Sequence, residues 1–88
     1  MTSIEKLKKL IEEGEKVLAT KHRNSIGYEV VKRDDFFKWY TQVLLYLKEK
    51  CPEDIILKQI EGMDYHYYRH AEKVLGVLKG LTEYLKAK

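Results

Sequence analysis

Cysteine and proline are almost absent from this chain: one of each, Cys51 and Pro52, side by side in 88 residues. A lone thiol excludes an internal disulfide and fits a reducing compartment, so any fold must rest on packing. No apolar run approaches the roughly 20 residues that a membrane span needs. The N-terminus is a charged amphipathic pattern, unlike a signal peptide, and the expected location is cytoplasmic. Charge of one sign is also scarce. The 17 basic and 14 acidic residues leave a net charge of +3, with the two signs interleaved along the chain. A nucleic-acid binder more often carries a clustered basic stripe. No internal repeat and no low-complexity segment divides the chain.

What is present suits one small core. Hydrophobic residues make up 44% and charged residues 35%, a globular balance. A chain of this length buries roughly 60–65% of the surface it exposes when unfolded, so apolar residues must be well placed. Seven Tyr, two Phe and one Trp supply the largest buried areas per residue.

Helical periodicity dominates. Thr2 and Glu5 form a capping-box pattern, after which Ile4, Leu7, Ile11, Gly14 and Leu18 fall on one stripe, widened by Leu10 and Val17. A glycine inside a helix costs roughly 1 kcal/mol relative to alanine, so Gly14 on that stripe predicts a close helix crossing. From Lys21 to Arg33 the period is lost; Asn24, Ser25 and Gly27 form turns, and Tyr28 to Val31 reads as extended. So long a connection predicts a crossover, strapped down by Ile26, Tyr28 and Val30.

Asp34 or Asp35 is the expected cap of a second helix with Phe36, Trp39, Tyr40, Val43 and Leu47 inward and Phe37 and Leu44 beside them. An apolar arc that broad predicts neighbours on two sides. Cys51-Pro52-Glu53-Asp54 is a stop and restart, with Pro in the next helix's first turn and two acids near its positive end. A short third helix turns Ile55, Ile56 and Ile60 inward and ends at Gly62. Asp64 is the expected cap of a fourth, running to about Lys86 on a stripe of Tyr67, Ala71, Val74, Leu78, Leu81 and Leu85. The expected fold is all-α, a small four-helix bundle with a long crossover between its first two helices.

No catalytic constellation emerges. His66 and His70, four apart on the expected helix, could share a metal ion, but the other candidates (Asp64, Cys51 and His22) have no fixed spacing to them. The expectation is no metal and no cofactor. Cys51 as a nucleophile lacks an identifiable base, and Gly76 and Gly80 lie within a helix, outside any phosphate-cradling context. The basic residues Lys21, His22, Arg23, Lys32 and Arg33 offer a nucleic-acid or nucleotide contact surface as an alternative function.

One feature has no assignment in that scheme. Gly76 and Gly80 point away from the main stripe of the fourth helix. With His66, His70, Val77 and Tyr84 they form a second, weaker apolar line roughly 100° from the first, by the rotation per residue. Either the first helix or the Tyr28 segment covers that face, as small cores tend to require, or it is open for docking or self-association.

Leu10-Ile11-Glu12-Glu13-Gly14-Glu15, Val17-Leu18, Thr20, Phe36-x-x-Trp39-x-Thr41-x-x-Leu44-x-Tyr46-Leu47-Lys48 and Gly76-Val77-Leu78-Lys79-Gly80-Leu81-x-Glu83 follow one another in that order. This pattern, spanning nearly the whole chain, resembles the small helical N-terminal module of bacterial abortive-infection and other anti-phage defence proteins. It departs from that module at Cys51-Pro52-Glu53, where an aromatic and Gly are more usual before the acid. In such proteins the module precedes an effector part, for example a TIR-like domain. The resemblance implies a non-catalytic interaction or oligomerisation module with a protein partner or a second copy. No effector lies within these 88 residues, so a piece of a longer protein and a free-standing adaptor or phage-encoded inhibitor are both open.

Overall fold

A computed structural model describes residues 3–50 and 55–87. In chain order the elements are α1 (Ser3–Leu18), β1 (His22–Arg23), β2 (Glu29–Val30), α2 (Arg33–Lys50), α3 (Ile55–Ile60) and α4 (Tyr68–Ala87). The described chain is thus mostly helical, with one small two-stranded sheet. The Thr2 cap and the Cys51–Asp54 turn lie outside the described residues.

α1 buries Leu7, Leu10, Gly14 and Val17, while Ile4, Ile11 and Leu18 are half-covered. Its inward line thus keeps Leu7 and Gly14 of the expected stripe and shifts toward Leu10 and Val17, expected at its margin. Helix α4 packs along α1, and α2 packs against α1 too. Short α3 touches α2 and α4. The close approach expected at Gly14 is real, but a side chain makes it. A Cβ built at Gly14 would fall 2.5 Å from Trp39 Cζ2 and 2.9 Å from Leu75 Cδ1. The indole is held there by its own hydrogen bond, Trp39 Nε1–H donating to the Leu10 carbonyl at 2.8 Å.

The connection after α1 is a hairpin, whose second strand falls in the stretch expected to be extended. β1 and β2 pair antiparallel, His22 opposite Val30 and Arg23 opposite Glu29. Asn24 organises the turn: its Oδ1 accepts from the amides of Ile26 (3.1 Å) and Tyr28 (2.9 Å), and Gly27 supplies the positive φ of 92° that the return requires. Of the three expected straps only Val30 is buried; Ile26 is 74% exposed and Tyr28 54%. Val31, fully buried, completes the anchor. The base of the hairpin is closed by Thr20, whose hydroxyl donates to the Val17 carbonyl (2.6 Å) and accepts from the Lys32 amide (2.8 Å).

Helix α2 starts at Arg33, ahead of the expected aspartate caps, because the Lys32 carbonyl already accepts from the Phe36 amide at 2.9 Å. Asp34 and Asp35 then occupy the first turn and complement its dipole. Phe36, Trp39, Tyr40, Val43 and Leu47 are buried as expected, and Tyr46 joins them. Phe36 stacks on Tyr40, centroids 5.4 Å apart. The Tyr40 hydroxyl donates to the Ile60 carbonyl at 2.7 Å, satisfying one of the free acceptors at the end of α3. Burial pushes the Tyr40 phenol above its ordinary pKa, which keeps it a donor. Gly62, at φ 87°, ends α3 as its position implied.

The largest correction concerns α4. Its first residue is Tyr68, four beyond the expected cap at Asp64, and the Tyr67 carbonyl accepts from the amides of His70 (3.1 Å) and Ala71 (3.2 Å). Residues 65–67 run alongside the hairpin instead. Val30 and Tyr67 form an antiparallel bridge, and the Val31 amide donates to the His66 carbonyl at 2.9 Å. From there Ala71, Val74, Leu75, Leu78 and Leu81 enter the shared core. No described helix is long and apolar enough to cross a membrane.

Candidate functional site

The face of α4 that carries Gly76 and Gly80 is open. A Cβ built at either glycine meets nothing within 4 Å among the described residues, so neither α1 nor the Tyr28 segment covers it. This corrects the expectation that a small core would use that surface. A shallow groove runs beside the glycines, lined by Ile56 from α3 and by Lys73, Val77, Leu81 and Tyr84 from α4. Val77 is half-buried and the Tyr84 ring is 59% exposed. All of the residues that line the groove belong to α3 and α4. Across the helix, Lys79 pairs with Glu15 of α1 at 2.8 Å. Both are half-exposed, so this contributes little stability.

Five residues were expected on this face: His66, His70, Val77, Gly80 and Tyr84. The structure brings Val77, Gly80 and Tyr84 together. His70 lies three residues before Lys73 and does not line the groove, its Nδ1 3.0 Å from the Tyr65 carbonyl and its ring edge-on to Tyr67 at 5.1 Å. His66 is not on α4 at all. It stacks on Tyr65 at 4.3 Å and faces Phe37 at 6.4 Å. The four-residue spacing of the two histidines therefore does not create a shared metal grip. Among the described residues no three His, Cys, Asp or Glu side chains gather as metal ligands; Cys51 lies outside them.

His66 has a distinct environment. Its Nδ1 is shut off from solvent and has no hydrogen-bond partner among the described residues. Burial, and then the positive Arg33 and the nearby His22, hold the imidazole below its ordinary pKa of 6.5. A proton on Nδ1 would find no acceptor there, while in the unfolded chain water would solvate it. The depressed value means that stability from neutral His66 is whole above about pH 6.5 and is lost as pH falls through the lower folded value. The urea midpoint of the native chain is therefore expected to drop more between about pH 7 and pH 5.5 than that of His66→Phe. Equal drops would show that His66 does not set the difference.

The basic residues proposed for nucleic acid lie along the hairpin and at its two feet. Lys21 pairs with Glu29 at 2.7 Å and lies over the Tyr68 ring at 4.5 Å. That partnership raises the Lys21 pKa and lowers that of Glu29, but the pair is solvated and contributes little. His22 and Arg23 sit on β1, the His22 Nδ1 2.9 Å from the Thr20 carbonyl. Lys32 gives its amide to Thr20, and Arg33 lies over Phe37 at 5.9 Å.

Sequence reasoning missed a second surface. Tyr28 meets Tyr67 edge-on at 5.7 Å, Tyr65 lies 4.4 Å from Tyr67, and Arg69 covers Tyr67 at 5.1 Å. Arg23, Tyr28, Glu29, Tyr67, Arg69 and Glu72 surround a small pocket between hairpin and α4. The signal was the aromatic run Tyr65-His66-Tyr67-Tyr68, which was read as the first turn of a helix. Two arginines and two glutamates balance there, so the pocket has no net charge to select a ligand.

The chain matches no protein-family model, and neither a curated protein nor a solved structure matches it.

Proposed function

We propose that this chain is a non-catalytic protein–protein interaction module that docks through the open face of α4, at Val77, Gly80 and Tyr84. The observation that carries the reading is a contrast between glycines. Gly14 has a reason inside the fold, the Trp39 ring. Gly76 and Gly80 each cost α4 roughly 1 kcal/mol relative to alanine, and nothing among the described residues uses the space they leave. Bare helical backbone beside an apolar groove and an exposed tyrosine suits the close approach of another helix.

The resemblance to anti-phage modules supports the same reading and supplies its context: an accessory or oligomerisation part of a bacterial defence-type protein, or a free-standing adaptor or inhibitor that competes for the same partner. A small bundle of helices, the architecture expected from the periodicities, would serve such a part by holding one face outward. The alternative of nucleic-acid binding through Lys21, His22, Arg23, Lys32 and Arg33 has less support, because Glu29 offsets Lys21.

In-cell photo-crosslinking tests the reading. A benzophenone side chain at position 84 is expected to capture a discrete protein band that disappears with Gly80→Leu, whereas the same group at exposed Lys48 on α2 captures none. Equal labelling at positions 84 and 48, or no band at 84, would overturn it.

A further inference from the structure

We propose that the pocket between the hairpin and α4 binds an aromatic carboxylate, its oxygens held by the guanidiniums of Arg23 and Arg69 and its ring laid against Tyr28. The pocket shares no residue with the glycine-bearing groove, so this site stands or falls apart from the docking reading.

The sum of the lining charges selects nothing, but their engagement does. Arg23 lies opposite Glu29 across the two strands, so both side chains leave the hairpin on one face. Arg69 and Glu72 are three apart on α4 and are neighbours on its surface. Each arginine thus has a glutamate at an ordinary pairing position, yet neither pair forms. Arg23 and Arg69 join no ion pair among the described residues. Lys21 takes Glu29 instead, at 2.7 Å, and Glu72 acts on the same ammonium. Arg69 lies over the Tyr67 ring at 5.1 Å. A guanidinium stacked on a ring keeps its N–H groups in its own plane, where they remain free to donate. Both arginines therefore bring unused donors to the pocket.

The count of charges favours a carboxylate over a phosphate. With Lys21, the partner of Glu29, included, three cations stand against two carboxylates, and a single negative charge restores the balance. A phosphomonoester carries about two negative charges at neutral pH and would overshoot beside Glu72. The two coplanar oxygens of a carboxylate also match the fork of N–H groups that a guanidinium presents.

The tyrosines supply the place for a ring. The Tyr28 amide is held by Asn24 Oδ1 at 2.9 Å, and its ring meets Tyr67 edge-on at 5.7 Å. The Val30–Tyr67 bridge ties the segment that carries Tyr67 to the hairpin. Tyr28 is nevertheless more than half exposed, so an aromatic wall already stands beside the arginines and binding need not order it. The pocket encloses about 380 Å³, at the small end for a ligand site and room for one aromatic side chain with its carboxylate.

Amide NMR titration with N-acetyl-phenylalanine tests the site. Saturable shifts are expected at Arg23, Tyr28, Tyr67 and Arg69, with a Kd of about 0.1–3 mM. The uncharged N-acetyl-phenylalanine amide should bind at least roughly tenfold more weakly, and Arg23→Gln or Arg69→Gln should cost roughly tenfold each while leaving native circular dichroism. Phenyl phosphate should bind more weakly than the carboxylate. A short peptide ending in a free Phe carboxylate separates two sources of the same chemistry. Binding of that peptide assigns a chain end as the ligand, and its exclusion while N-acetyl-phenylalanine binds assigns a free small acid; both support the site. No saturable shift by about 10 mM overturns the proposal, as does an amide that binds as well as the acid. Arginine variants with native affinity, or phenyl phosphate binding the more tightly, overturn it too.

Discussion

Gly14→Ala is expected to destabilise the protein by about 1–3 kcal/mol, although the same change at an open helical position normally stabilises. The two effects oppose each other, and geometry decides the sign. Alanine gains up to roughly 1 kcal/mol in helix propensity. Against this, the new methyl would lie 2.5 Å from Trp39 Cζ2 and 2.9 Å from Leu75 Cδ1. A flexible side-chain tip could yield at such distances. The indole cannot yield cheaply, because it is 97% buried, pinned by Nε1–H to the Leu10 carbonyl, and edge-on to Phe36 at 6.3 Å. A fall in melting temperature of about 5–15 °C is therefore expected by calorimetry. Gly76→Ala and Gly80→Ala, measured in dilute protein, should raise it slightly. If Gly14→Ala melts at or above the native temperature, the packing described between α1 and α2 is wrong.

Trp39→Ala has the larger expected effect, about 3–5 kcal/mol. The substitution leaves a cavity where α1, α2 and α4 meet, and it strips the Leu10 carbonyl of its side-chain donor. A domain this small has about 5–10 kcal/mol to lose, so the variant should be largely unfolded near physiological temperature by circular dichroism. Gly14 and Trp39 are also coupled. In the Trp39→Ala background a Gly14→Ala methyl enters empty space, and its cost should vanish or reverse. Additive effects in that double-mutant cycle would separate the two residues. Near-native melting of Trp39→Ala would remove the indole from the core.

Most of the core was legible because helical burial repeats locally. Phe36, Trp39, Val43 and Leu47 announce α2 by spacing alone, and all are buried. Tyr46 was hidden because a phenol suits surface and interior equally. Asp64 misled because aspartate suits irregular segments as much as helix caps, and here it lies in the irregular stretch ahead of α4. The hairpin left almost no periodic signal: each strand is two residues long, too short for alternation to show. Its position depends on Val31 reaching His66 across 35 residues of chain, a pairing that no local pattern encodes. At the candidate site, the angular position of Gly76 and Gly80 could be computed from sequence. Whether anything covers them depends on tertiary packing that spacing does not encode, and the displaced start of α4 removes His66 from the face.

The Thr20 hydroxyl has a consequence for how the chain could be extended. By holding Val17 and Lys32 at once, it fastens both feet of the hairpin to the helical body before the strands contribute anything. Everything beyond those feet hangs from a fixed clasp, and the tip at Ser25, Ile26 and Gly27 is exposed. Lengthening such a tether costs only the entropy of a longer loop, about 0.6 kcal/mol for each doubling. That tip is the natural port for a graft, such as a fluorophore or an affinity peptide, that leaves the clasp and the helical body untouched.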